Sequence, residues 1–272
     1  MDILRCKAFI CSSRLDLLNC CFLVADLLNR RDFLLSSGIT ASWFLGGAQP
    51  ICALTSRAAV FASEENARSC QPVDPLQALL EGNARFTEVW RGKDTAASMA
   101  ERSRLMASLW LNNCFLSAKT IVKAQAPWAA ILSCSDSRVP PEWIFDAAPA
   151  DLFVIRSAGN TAFDNAIASM EYAVQKLKVS LIIVMGHQNC GAVAAAYNLD
   201  PLTPLLEKLV NPIRDSLCPG SDLDQAIHDN AVHAASQLTH RSLLLKRAKQ
   251  GRQLKVFAAY FSLESGRVTL IS

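Results

Sequence analysis

Two apolar runs that break abruptly into reactive residues constrain this chain more than any other feature. Residues 128–138 read WAAILSCSDSR, and residues 180–195 read SLIIVMGHQNCGAVAA. Each opens with roughly a strand's length of uncharged side chains and then turns polar, the pattern of a strand that delivers chemistry at its carboxyl end. Runs with no polar alternation have to be covered on both faces, which favours a parallel sheet under helices over a half-exposed antiparallel one.

The order of the remaining elements agrees. Asp151 to Arg156, DLFVIR, reads as a further buried strand closed by Ser157-Ala158-Gly159-Asn160, and residues 161–177 as a helix with Ala166, Met170, Ala173, Val174 and Leu177 on one side. With a strand over 179–185 and a helix over 191–199, the sequence of elements is strand, strand, helix, strand, helix. That order predicts an α/β fold with a mostly parallel central sheet. Upstream, Asp74 is placed to cap a helix that starts at Pro75, and residues 99–106 and 108–123 also read as helical, an N-terminal helical arm. Downstream, 221–249 reads as one long helix, and strands over 256–261 and 267–271 around Glu264-Ser265-Gly266 form a hairpin that finishes the sheet.

The first 62 residues have a different character. Asn29-Arg30-Arg31-Asp32-Phe33-Leu34-Leu35 resembles a twin-arginine export signal, no charge falls between residues 33 and 56, and Val60-Phe61-Ala62 offers small side chains for cleavage after Ala62. Residues 1–62 are therefore expected to be a leader, with 1–28 lying upstream of the point where such a signal ordinarily starts, and 63–272 a catalytic domain. This predicts an exported, periplasmic or otherwise extracytoplasmic protein that meets the membrane only through its leader. The competing readings are an uncleaved hydrophobic anchor and a cytoplasmic protein with a chance arginine pair.

Composition matters at two points. A net charge of +3 over 272 residues, with scattered basic side chains, gives no footing for nucleic acid. Of ten cysteines, Cys6, Cys11, Cys20, Cys21 and Cys52 precede the expected domain, leaving Cys70, Cys114, Cys134, Cys190 and Cys218. An odd, widely spaced set does not read as a disulfide framework, so Cys70, Cys114 and Cys218 are expected to be small buried hydrophobes.

Cys134, His187 and Cys190 form a ligand set suited to zinc, two thiolates and an imidazole with the fourth tetrahedral position left over. If the first and third strands are neighbours, the three meet at the carboxyl edge of the sheet. Cys190 starts a helix, whose dipole lowers the cost of a thiolate. Asp136 stands two residues from Cys134, and Arg138 can hold it in a two-pronged pair, keeping the carboxylate off the metal and ready to accept a hydrogen bond from bound water. Zinc lowers the pKa of its water from about 15.7 to around 7 in a three-histidine site, and two thiolates predict a less acidic water and more activity at alkaline pH. Each feature alone has a plainer reading: a buried cysteine, a weak H-x-x-C, a structural ion pair. A structural zinc site would want a fourth cysteine or histidine, and a Cys134–Cys190 redox pair would leave His187 without a task. His228, His233 and His240 read as surface or packing residues, and no G-x-G-x-x-G, P-loop or G-x-S-x-G is present.

At these residues the chain resembles the β-class carbonic anhydrases. The likeness runs from Glu81-Gly82-Asn83-Ala84-Arg85-Phe86 through Cys134-Ser135-Asp136-Ser137-Arg138-Val139-Pro140-Pro141-Glu142, residues 151–160, Glu171-Tyr172-Ala173-Val174 and 186–192, to 260–268. The resemblance implies a four-stranded parallel core with an added strand, one zinc on Cys134, His187 and Cys190, and an Asp136–Arg138 dyad gating the fourth metal position. It further implies reversible hydration of CO2 to bicarbonate by a zinc-bound hydroxide, backbone at Gly159 and Gly191 close to the substrate, and a homodimer or multiple of dimers. Rival functions on the same residues are hydrolysis of CS2 or COS and a catalytically silent bicarbonate-binding role. Extra residues between Phe86 and Trp128 distinguish this chain from shorter members.

Overall fold

Five strands order as β2-β1-β3-β4-β5 in the structure, a computed structural model that describes residues 65–198 and 201–271. They are β1 Ala129–Cys134, β2 Leu152–Ser157, β3 Leu181–His187, β4 Lys255–Phe261 and β5 Val268–Leu270. The first four pair in parallel, and β5 returns antiparallel along β4. The mostly parallel sheet with an added C-terminal edge strand is therefore as expected. The expected leader over 1–62, with its cleavage point, lies outside the described residues. Among those described, no helix is long and apolar enough to cross a membrane.

Alternation along β1 and β3 makes two apolar faces. Ile131 and Ile183 point into a layer with Leu79, Phe86, Val193 and Ile213, while Ala130, Leu132, Ile182 and Val184 meet Met170, Leu238 and Leu245 on the other side. The helices are α1 Pro75–Thr95, α2 Met99–Ala107, α3 Ala118–Ile121, α4 Pro141–Ile144, α5 Asp164–Gln175, α6 Gly191–Tyr197, α7 Pro204–Arg214, α8 Leu223–Arg241 and α9 Leu243–Gln250. In the first layer sit α1, α4, α6 and α7. The second is covered by α5, α9 and the carboxyl half of α8.

Helix α1 begins as its sequence dictates. Asp74 accepts from the Leu76 and Gln77 amides at 3.0 and 3.2 Å, and Pro75 takes the first position, where a missing N–H costs nothing. Gly82 faces the Phe145 carbonyl so closely that any Cβ would overlap it. One turn on, buried Asn83 donates to the Ile144 and Gly266 carbonyls at 3.1 and 2.9 Å and accepts from Val268 N–H at 2.8 Å. All three bonds are to backbone, so this one side chain ties α1 to α4 and to the start of β5.

The expected helix over 108–123 does not form. The chain leaves α2 at Trp110, whose φ of 70° is left-handed, and its N–H donates to Asp146 Oδ1 at 2.7 Å while Asn113 Nδ2 donates to the Asp146 carbonyl at 2.7 Å. Asp146, held as well by Arg85 at 2.6 Å, thus gathers the arm around itself, and only the short α3 remains helical. Likewise the single helix expected over 221–249 breaks at Ser242, which caps α9 through Leu245 N–H at 3.1 Å and donates to Glu171 at 2.5 Å.

Cysteine usage needs correcting too. Cys70 and Cys114 are joined in a disulfide with Cα atoms 5.5 Å apart, and Cys218 is exposed rather than buried. A closed loop of 44 residues removes about 4 kcal/mol of chain entropy from the unfolded state. Their spacing carries no such signal, because the pairing depends on how the arm folds back past Asp146.

Candidate metal centre

The strand order reverses between β1 and its two neighbours, β2 on one side and β3 on the other, which opens a crevice at the carboxyl edge. Into it β1 delivers Cys134 and β3 delivers His187, while Cys190 follows a turn in which Asn189 takes φ 53°. The three donor atoms lie within 4.8 Å of one another, and all three residues are buried.

The imidazole is oriented by its own turn. His187 Nδ1 lies 3.0 Å from the Gln188 carbonyl, which makes Nδ1 the protonated nitrogen and leaves Nε2 as a lone pair. That Nε2 is buried without any hydrogen-bond partner. An orphaned buried acceptor is costly unless something binds it. The two sulfurs stand 3.9 Å apart, close to the edge of about 3.8 Å that a tetrahedral zinc with Zn–S bonds of about 2.3 Å would span. The residues present therefore fit such an ion.

Both thiols titrate as a unit. The hydrogen bond from Cys190 holds Cys134 down at about 4 against its burial, helped by the Gly159 and Asp136 amides, whereas the same contact with Cys134, with burial, pushes Cys190 up. One proton is thus lost readily and the second is retained by its neighbour's charge, which a divalent cation would cancel. The amides of Ala192 and Val193 at the start of α6 act on Cys190 in the opposite sense, lowering it.

Beyond the sulfurs, Asp136 is gripped from one side. Arg138 donates through Nε to Oδ1 at 2.9 Å, through Nη2 to Oδ2 at 2.7 Å, and through its backbone N–H to Oδ1 at 2.9 Å. These bonds hold the Asp136 carboxyl at about 2, ionised at any ordinary pH. Its Oδ2 still lies 3.9 Å from His187 Nε2. Arg138 Nη2 also reaches the Asn189 carbonyl at 3.2 Å, so the guanidinium joins the β1 and β3 turns.

All five polar residues picked from the sequence are brought together, and the two glycines differ in role. Gly159, at φ 78°, donates its N–H to Cys134 Sγ at 3.3 Å, and a Cβ there would lie 2.5 Å from Ile213 Cδ1. Gly191 is exposed, and nothing lies within 4 Å of where its Cβ would be. Arg156 was not singled out by the sequence, yet it donates to the Cys134 carbonyl at 2.9 Å and the Asp136 carbonyl at 2.6 Å. A lone charge ending an apolar strand was the available signal. His228 meets Tyr260 edge-on with centroids 4.5 Å apart and is not among the clustered donors.

Three donors clustered at the switch point of an open parallel sheet, able to hold a metal ion, place this chain among α/β proteins with a candidate metal centre. A family model described as carbonic anhydrase matches residues 129–268. Carbonic anhydrase 2 of Mycobacterium tuberculosis is 32% identical over 73% of this chain and 92% of its own. Among solved structures, a β-carbonic anhydrase of Aspergillus fumigatus matches with a TM-score of 0.52 and 28% identity over 57% of this chain and 79% of its own. Tetrameric β-carbonic anhydrases from Sordaria macrospora match with a TM-score of 0.50 and 25% identity, covering 57% and 85%. The chain belongs to the carbonic anhydrase family, in its β class, and is a carbonic anhydrase.

Proposed function

We propose that Cys134, His187 and Cys190 hold one zinc ion and that the site hydrates CO2 reversibly to bicarbonate and a proton, with Asp136 and Arg138 governing the fourth metal position. The observation that carries this is the orphaned His187 Nε2, facing two sulfurs at zinc-like spacing beside a carboxylate held by Arg138. When bound, zinc would supply a water acidic enough to act, once deprotonated, as the nucleophile, and with two thiolates as donors a larger fraction would be deprotonated at alkaline than at neutral pH. Asp136, with both oxygens taken by Arg138, is kept back as an acceptor that orients this water and takes no ligand position of its own. Cys134 and Cys190 as thiolates balance a divalent charge, and Arg138 balances Asp136, so the buried group is near neutral as a whole. The gas is placed against the Gly159 and Gly191 backbone, where Gly191 leaves open space.

The sheet edge supports self-association. β2 has β1 on one side only, and its Leu152 to Ile155 stay half-buried, while Val73, Met99, Leu111 and Phe115 of the arm region are exposed. With the tetrameric relatives, this supports a homodimer or a multiple of dimers. Zinc-loaded protein is expected to hydrate CO2 at pH 8.5, with COS and CS2 poor substrates, and to scatter light as a dimer or larger. Stoichiometric zinc without hydration would sink the enzymatic reading, and faster turnover of COS or CS2 would reassign the substrate. A monomer in scattering would remove the assembly.

Export is proposed on the leader's Arg30-Arg31 pair, and the Cys70–Cys114 disulfide supports it, since such bonds persist in oxidising compartments. Changing both arginines to lysine should trap the protein in the cytoplasm with Cys70 and Cys114 as free thiols. Unaltered extracytoplasmic recovery of that variant counts against the signal.

A further inference from the structure

We propose that Asn230 is a positioning residue for the metal centre, holding the Gly159 backbone so that its N–H stays on the Cys134 sulfur. This rests on the metal reading above. Asn230 lies in the middle of α8, 1% exposed, with apolar Ala226, Ile227, Ala231 and Ala234 around it on the same helix. Its Nδ2 donates to the Gly159 carbonyl at 2.8 Å, and the Gly159 N–H donates to Cys134 Sγ at 3.3 Å.

Three features make this more than a packing contact. The bond spans 71 residues and joins a helix to the β2–α5 turn, so no local geometry produces it. Gly159 is left-handed at φ 78° and is pressed by Ile213 Cδ1 and the Ala192 Cβ, at 2.5 and 3.2 Å from where its own Cβ would stand. Its Cα is thereby confined, and what remains to be set is the direction of its peptides. The Gly159–Asn160 peptide is held at both ends, its oxygen by Asn230 and its N–H by the Ser157 carbonyl at 3.1 Å. With that peptide fixed, the Ala158–Gly159 N–H is directed at the sulfur.

Asn230 also carries a cost. The side-chain oxygen Oδ1 is buried with no hydrogen-bond partner, a penalty that an apolar residue would avoid. Only the donor half of the amide has a task, and that task is Gly159. A cavity of about 320 Å³ lined by Asn230, Thr161, His233 and Arg241 adjoins the residue.

The test compares Asn230→Ala and Asn230→Ser with Leu238→Ala, a buried residue of the same helix packed in the opposite layer. Zinc affinity is read by chelator competition, and the sulfur-to-metal charge-transfer band is read in cobalt(II)-loaded protein. Asn230→Ala should bind zinc roughly 10- to 100-fold more weakly and shift the cobalt band, the usual scale for losing a group that orients a ligand. Asn230→Ser, which keeps a donor on a smaller side chain, should show a smaller loss, and it carries the test if the alanine variant fails to fold. Leu238→Ala should lower the melting temperature with affinity and spectrum unchanged. Wild-type affinity and spectrum in the folded Asn230 variants, or an equal loss in Leu238→Ala, overturns the inference alone. A wild-type protein that takes up no zinc overturns the metal reading and this inference with it.

Discussion

Cys134→Ser is expected to abolish both metal retention and CO2 hydration while leaving a folded protein. The sulfur is one of three donors within 4.8 Å, and a serine hydroxyl neither ionises near neutral pH nor matches the softness of a thiolate. Losing a group that merely orients a ligand costs roughly 10- to 100-fold in affinity, so losing the ligand itself should exceed 100-fold. Folding should survive, because the change is small and the Gly159 N–H, 3.3 Å from the sulfur, can donate to a hydroxyl instead. Metal analysis after dialysis should find little zinc, with circular dichroism close to wild type. A stoichiometric metal content with hydration within tenfold of wild type would remove Cys134 from the ligand set.

Asp136→Asn should separate metal binding from turnover. The carboxylate has no place among the three donors, so zinc content is expected to stay near one per chain. Hydration should fall by roughly 100-fold or more, the range for losing a positioned proton acceptor. The amide keeps the shape but turns one acceptor oxygen into a donor that faces the Arg138 guanidinium, now bonded at 2.7 and 2.9 Å. The pair's pH signature follows from Asp136 being held at about 2, below the ordinary 3.8. A depressed carboxyl contributes stability that is fully present above its unfolded pKa and is lost as pH falls through the folded one. Wild-type stability should therefore fall between about pH 4 and pH 2 in a way that Asp136→Asn lacks. Above pH 5 the carboxylate is already ionised, so a rise in activity toward alkaline pH is not expected to come from Asp136. Full activity in Asp136→Asn would end the gating role.

Much of this centre was readable from residue order because its parts are local. Asp136 and Arg138 are two apart and share a turn, and His187 and Cys190 flank another, so each half-site is written into a single strand end. The elements that went unread depend on distant partners. Trp110 and Asn113 abandon a helix for Asp146, more than 30 residues away, and Cys114 closes on Cys70 across 44. Ser242 breaks an amphipathic stretch whose periodicity runs straight through it, because Glu171 accepts its hydroxyl. Helical periodicity reports which face is apolar and says nothing of a polar partner brought in from another element.

By itself the sequence determined the sheet, its direction and the residues that cluster as candidate metal donors, since apolar runs demand burial and reactive side chains collect where those runs end. Only the tertiary structure decided how the donors are held. Arg156 reaches across from β2 to the backbone of Cys134 and Asp136, and Asn230 reaches across from α8 to Gly159. The physical reason is range: hydrophobic patterning acts along a dozen residues of chain, whereas a hydrogen bond of about 3 Å exists only after folding has brought its two ends together.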